Sequence, residues 1–134
     1  MKLFLDSNVL FTAAHKPDGK AALVLEVAGE QTWRVCTCEF AVEEARRNLD
    51  IKLPDCLAYF RKLLLRVDRL PTVVEGQCPV ALPAKDRPIL LSAIRGRSTH
   101  LLTGDHRHFG AYMNHPARTG GVIVQTVAMF LDSL

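Results

Sequence analysis

The chain has 134 residues, 49% of them apolar, with 17 Lys and Arg against 14 Asp and Glu. That is the size of one compact domain, residues 1–134, with enough apolar content for a single core and no need of covalent staples. The net charge of +3 suits a polyanionic partner without establishing one.

Lys2-Leu3-Phe4-Leu5 is a short apolar run stopped at Asp6, the signature of a buried strand. Residues 19–29 (GKAALVLEVAG) carry helical spacing and end at Gly29. A second strand is expected over Thr32 to Cys36. Helices are expected over residues 39–49 and 54–67, the latter opening on Pro54, where a missing N–H does no harm. Pro71 to Val74 is expected as a short strand. Asp86 opens a helix running to Arg95, His100 to Thr103 forms a strand, and Gly121 to Val124 is the last strand before a helix over residues 125–133. Strands alternating with helices predict an α/β domain, with helices sandwiching a mostly parallel sheet.

Cys36, Cys38, Cys56 and Cys78 are too few for a secreted disulfide scaffold. The Cys36-x-Cys38 spacing is tighter than zinc ribbons use, and no second Cys/His pair completes a site. They are expected as thiols of a reducing compartment. Asp6 and Asn8 interrupt the apolar N-terminus, against a signal peptide. No stretch approaches the ~18 apolar residues of a membrane helix. A soluble, cytoplasmic protein is expected.

In an open α/β sheet, ligands gather outside the carboxyl ends of the strands. Asp6 follows the first strand directly, Asp105 follows Leu101-Leu102-Thr103 after one glycine, and Asp86 begins a helix whose N-terminus lies on the same edge. Asp86 and Asp105 each have a plain alternative as helix caps. Three carboxylates on one edge point instead to a hard cation, Mg²⁺ or Mn²⁺, held by oxygen ligands. A fourth acid comes from the helix over residues 39–49, whose apolar stripe is Ala41, Val42, Ala45 and Leu49. At about 100° per residue, Glu44 borders that stripe and Glu43 points nearly opposite. Glu44 is therefore the candidate to face a cleft, while Glu43 is expected in a surface pair with Arg47.

These residues resemble a known pattern. Leu3-Phe4-Leu5-Asp6-Ser7-Asn8 is similar to the opening strand of PIN-domain nucleases, and Cys38 to Leu49 resembles their second motif, with its glutamate on Glu44. Lys85-Asp86-Arg87-Pro88-Ile89-Leu90 with Ala93 resembles the third motif, and Leu101-Leu102-Thr103-Gly104-Asp105 the fourth. The motifs stand in the family's order over most of the chain. The resemblance implies a Rossmann-like parallel sheet in strand order 3-2-1-4-5 and hydrolysis of RNA phosphodiester bonds. It also implies Asp6, Asp86 and Asp105 as metal ligands and Glu44 as a catalytic acid that holds a water or serves as base. One departure stands out: where many members carry another Asp or Asn after the fourth-motif acid, Arg107, His108 and Phe109 follow. His106 and His108 are expected as solvated or capping residues, with a supporting role as the alternative.

Ser7, Asn8 and Thr103 are expected to orient waters and carboxylates around the ion. Lys85, Arg87 and Arg107, beside the proposed ligands, are the expected phosphate contacts. With aromatics at 7%, little base stacking is expected. Small single-domain chains of this kind resemble the toxins of VapBC-type toxin–antitoxin pairs, which implies an antitoxin partner and a homodimer. A housekeeping RNA-processing nuclease, or a degenerate domain that binds RNA or protein without cutting, would share the same features. A haloacid-dehalogenase-like phosphatase needs a second Asp where Asn8 stands.

Overall fold

The computed structural model describes residues 1–134 as five strands and seven α-helices. The strands are β1 (Lys2–Leu5), β2 (Arg34–Cys38), β3 (Asp68–Leu70), β4 (His100–Leu102) and β5 (Ile123–Gln125). The helices are α1 (Ser7–His15), α2 (Lys20–Glu30), α3 (Glu39–Lys52), α4 (Leu57–Leu64), α5 (Arg87–Arg95), α6 (His106–Phe109) and α7 (Val127–Asp132). All strands run parallel in the order β3-β2-β1-β4-β5, the expected one.

The central strands show why the sheet is covered on both faces. Successive strand residues point to opposite sides, yet Leu3, Phe4 and Leu5 of β1 are all fully buried, as are Leu101 and Leu102 of β4. Such strands read as unbroken apolar runs rather than as alternation. α1 packs against α2, α3 and α4, and α2 also meets α7. No helix is long and apolar enough to cross a membrane.

Several element boundaries differ from the sequence expectation, each for a local reason. β2 begins at Arg34, not Thr32, because Thr32 sits at φ 57, outside the extended region. β3 lies at Asp68–Leu70, not Pro71–Val74: Pro71 has no N–H for the ladder, so the strand ends before it. β5 starts at Ile123 because Gly120 (φ 65) and Gly121 (φ 91) hold the left-handed turn that feeds it. The segment expected as one helix over 54–67 is a 3-10 turn at Pro54–Cys56 followed by α4.

The sequence expectation missed α1 altogether. Its signals were present: Asp6 caps it by accepting from Ser7 N, and Val9, Leu10, Ala13 and Ala14 form its buried face. The edge strand β3 is exposed and charged, with Asp68 paired to Arg34 and Arg69 to Glu39, which discourages edge-to-edge association. Glu43 pairs with Arg46 at 2.7 Å rather than with Arg47, whose Nε donates instead to the Glu43 carbonyl. All four cysteines are free thiols, with Cys36 and Cys38 in the core.

Phe130 of α7 closes the β1–β4 half of the core. It is fully buried and meets Trp33 and His100 edge-on, with ring centroids 5.7 and 5.1 Å away. Phe130→Ala should therefore lose about 3–5 kcal/mol of stability in urea denaturation; a loss below ~1 kcal/mol would show that α7 is not part of the cooperative core.

Candidate metal centre

In the strand order 3-2-1-4-5 the chain leaves β1 toward β2 on one side and later returns to β4 on the other. The crevice between β1 and β4, at their carboxyl ends, is therefore the topological switch point where such sheets hold ligands. β1 pairs with β4 through Leu5 and Leu102, and Asp6 N donates to the Leu102 carbonyl at 3.0 Å. The residues just past both strands, Asp6 and Thr103, are thus set side by side.

Thr103 clamps the two strand ends. Its hydroxyl donates to Asp6 Oδ2 at 2.8 Å and accepts from the Asp105 backbone N–H at 3.1 Å. Asp6 Oδ1 accepts from Ser7 N at 2.7 Å, and the Ser7 hydroxyl donates to Glu44 Oε1 at 2.5 Å. Ser7 thereby ties the α3 acid to the β1 acid, across the contact of α1 with α3. Asn8 accepts from Gly104 N through Oδ1 at 2.8 Å, fixing the turn that presents Asp105. All three residues expected to orient the acids make such contacts.

Asp86 and Asp105 behave differently from each other. Asp105 does cap α6: its Oδ1 accepts from His108 N at 3.0 Å. Asp86 occupies the corresponding position of α5, yet its side chain makes no capping bond. The carboxylate is buried, and Oδ2 has no hydrogen-bond partner. The capping alternative therefore fails for Asp86 and holds for one oxygen of Asp105. A buried carboxylate oxygen without a donor costs free energy unless something else neutralises it.

His108 stands between these two acids, neither free in solvent nor a cap. Its Nδ1 lies 2.7 Å from Asp105 Oδ2 and 3.3 Å from Asp86 Oδ2. Facing acceptor-only carboxylates, Nδ1 carries the hydrogen, and the shorter, better-aligned contact to Asp105 takes it. Ligand atoms of Asp86, Asp105 and His108 all fall within 4.8 Å of one another. No atom of Asp6 joins that group. The signal for His108 was its i,i+3 spacing from Asp105 on a short helix, which puts both on one face.

The acids feel one another. Burial pushes the Asp6 carboxyl up to about 6, with Asp86 and Glu44 adding to the rise and bonds from Thr103 and Ser7 opposing it. Asp86 is also raised, by burial first and the Asp105 charge second, with Lys85 and His108 working against it. Asp105 suffers burial too, but its bonds from His108 outweigh that and hold it below the ordinary range. Crowded, partly desolvated carboxylates with one oxygen unpartnered fit a divalent cation, whose charge removes the repulsion.

The expected phosphate contacts are placed unequally. Lys85 is exposed and near enough to Asp86 and Asp105 to lower both carboxyls. Arg87 is exposed but anchored through Nε to the Leu82 carbonyl at 3.1 Å, and Arg107 is exposed on α6. A cavity of about 570 Å³ opens next to Asn8, Thr103 and Gly104 and is lined also by His106, Lys16 and Lys20, with none of the four acids in its wall. The two lysines escaped the sequence reading because they are close to no acidic motif along the chain.

The sheet order, its all-parallel ladders and flanking helices define a PIN-like α/β fold. Among solved structures this chain is similar to VapBC2 from Rickettsia felis bound to a DNA fragment from their promoter, with TM-score 0.68, 14% identity, and coverage of 94% of this chain and 98% of that one. It is also similar to VapBC-1 from nontypeable Haemophilus influenzae, with TM-score 0.60, 12% identity, and coverage of 96% and 99%. At such identities the likeness is one of fold. No protein-family model and no curated protein matches the sequence.

Asp6 supplies a test of the crowding. An acid whose folded pKa lies above its ordinary value of 3.8 contributes stability present at low pH and lost as pH rises through about 6. Without metal, Asp6→Asn should stabilise the protein by up to about 3 kcal/mol at pH 8, and the gain should vanish near pH 4; an unchanged Tm at pH 8 would refute the burial cost. Thr103→Val should lower metal affinity by about 10–100-fold in a calorimetric titration, since it frees Asp6 and the Asp105 turn together.

Proposed function

We propose that this chain is a divalent-metal-dependent ribonuclease, acting as the toxin of a VapBC-type toxin–antitoxin pair. The observation that carries the reading is the buried and unpartnered Asp86 oxygen, which belongs to a group with Asp105 and His108 whose ligand atoms lie within 4.8 Å of one another, with Asp6 near enough for the Asp86 charge to raise its carboxyl. A structural cap or remnant would not need that oxygen there. The similarity of fold to chains solved as VapBC complexes supports the toxin role over a housekeeping one.

Asp86 and Asp105 would hold the cation, with Asp6 on the β1 side adding negative charge nearby. Mg²⁺ or Mn²⁺ would supply Lewis acidity there, offsetting the crowded carboxylates and the charge that grows on a phosphate oxygen during displacement. Glu44, held by Ser7, would take the proton from the attacking water. Thr103 keeps Asp6 and the Asp105 backbone in register, and Asn8 keeps the Gly104 turn.

The substrate's backbone is read by charge. Lys85 beside the acids, with Arg87 and Arg107 outside them, contacts phosphates on one flank, and Lys16 and Lys20 in the adjoining cavity receive the continuing strand. A basic rim around an acidic floor suits a polyanion whose scissile phosphate meets the metal. The reading also brings two protein partners: an antitoxin segment laid over the cleft, and a second copy of this chain.

The test is cleavage of a mixed single-stranded and structured RNA pool with EDTA, Mg²⁺ or Mn²⁺. Cleavage should require the metal, and Glu44→Gln should lower kcat by about 10²–10⁴-fold with substrate binding retained. Metal-independent cleavage would remove the metal from the mechanism, whereas no cleavage from wild type with RNA binding intact would replace the enzyme by a binding module.

A further inference from the structure

The proposed chemistry assigns the four acids and leaves His108 without a role. Yet its ring lies between two of them. Nδ1 is 2.7 Å from Asp105 Oδ2 and 3.3 Å from Asp86 Oδ2, and the side chain is three-quarters shielded from solvent. The backbone N–H of the same residue donates to the other Asp105 oxygen, so ring and carboxylate are held in register by the first turn of α6. Phe109, the next residue, is fully buried and anchors that turn.

The second observation is independent of this cluster's shape. Asp86 Oδ2 is buried and has no hydrogen-bond partner, although it points to within 3.3 Å of the imidazole nitrogen. One N–H serves one acceptor well, and the bond goes to Asp105. The Asp86 oxygen is thus left facing a position that a hydrogen on Nδ1 does not satisfy. A cation between Oδ2 of Asp86, Oδ2 of Asp105 and Nδ1 of His108 would satisfy all three at once.

We propose that His108 is a direct metal ligand through Nδ1. The centre is then a mixed nitrogen–oxygen site that takes a first-row transition-metal dication in preference to Mg²⁺. The inference rests on the reading of this cleft as a metal centre and adds to it the ligand that sets metal choice. Mg²⁺ is a hard ion that keeps its waters and takes oxygen ligands, whereas imidazole is a good ligand for the transition series. Ligation through Nδ1 requires the neutral ring with its hydrogen on Nε2, so metal replaces the hydrogen that now bridges His108 to Asp105. Asp6, whose oxygens accept from Ser7 N and the Thr103 hydroxyl, would then lie beside the centre on the β1 side.

Mn²⁺ is the probe, because it is paramagnetic and its coupling to a ligand nitrogen is read directly, with no need of activity. The full chain loaded with Mn²⁺ should show ¹⁴N modulation in pulsed electron paramagnetic resonance. His108→Ala should abolish that modulation and weaken Mn²⁺ by about 10–100-fold, leaving Mg²⁺ affinity within about twofold by calorimetry. Asp86→Asn should weaken both ions. Mn²⁺ bound with no ¹⁴N signal in the wild type, or an unchanged Mn²⁺/Mg²⁺ ratio in His108→Ala, overturns the histidine ligand while the metal centre stands. If the wild type binds neither ion, the metal-centre reading falls as well, and the histidine proposal with it.

Discussion

The pairing of β1 with β4 is the constraint on which the site depends. Only because Leu5 lies opposite Leu102 do Asp6 and Thr103, 97 residues apart, meet through a 2.8 Å hydrogen bond. A slip of one residue in this register would turn Thr103 to the other face and remove the clamp. The apolar residues of both strands are fully buried, so any such slip would also displace them from the core. The core thus protects the geometry of the acids at no separate cost.

Electrostatics pulls the other way. Packing carboxylates at the edge of an apolar core raises Asp6 and Asp86 and leaves one oxygen unsatisfied. Such crowding is unfavourable for the metal-free chain, and the rest of the fold must carry it. The compensations visible are local: Ser7 N and Thr103 on Asp6, Ser7 Oγ on Glu44, and His108 on Asp105. Asp86 alone receives nothing of the kind. The least compensated acid is therefore the one that most needs a cation, and it is also the one best shielded from water after Asp6.

The charges around the floor give the cleft its polarity. Lys85 acts on Asp86 and Asp105 directly, whereas Arg87 is drawn back to Leu82 and the remaining cations sit outward. Lys16 and Lys20 lie at the start of α2 and line a cavity with Asn8, Thr103 and Gly104, the residues that hold the acids in place. On the proposed reading, a polyanion would be guided by these cations and would meet the acids where a metal compensates them.

The sequence by itself determined the alternation of strands and helices, the parallel sheet, and which acids end up at its carboxyl edge, because apolar run length and strand-terminal position are local properties. It also selected Glu44 over Glu43, since helical phase is set by the residues on the same helix. Strand ends at Thr32, Pro71 and Gly121 needed backbone angles and ladder donors that run-length reading does not weigh. Only the tertiary structure decided that Asp86 is not a cap, that His108 lies between two carboxylates, and that Lys16 and Lys20 share a cavity with Asn8 and Thr103. Each depends on atoms brought together from different segments of the chain, and hydrogen-bond satisfaction is a property of that meeting, not of either segment alone.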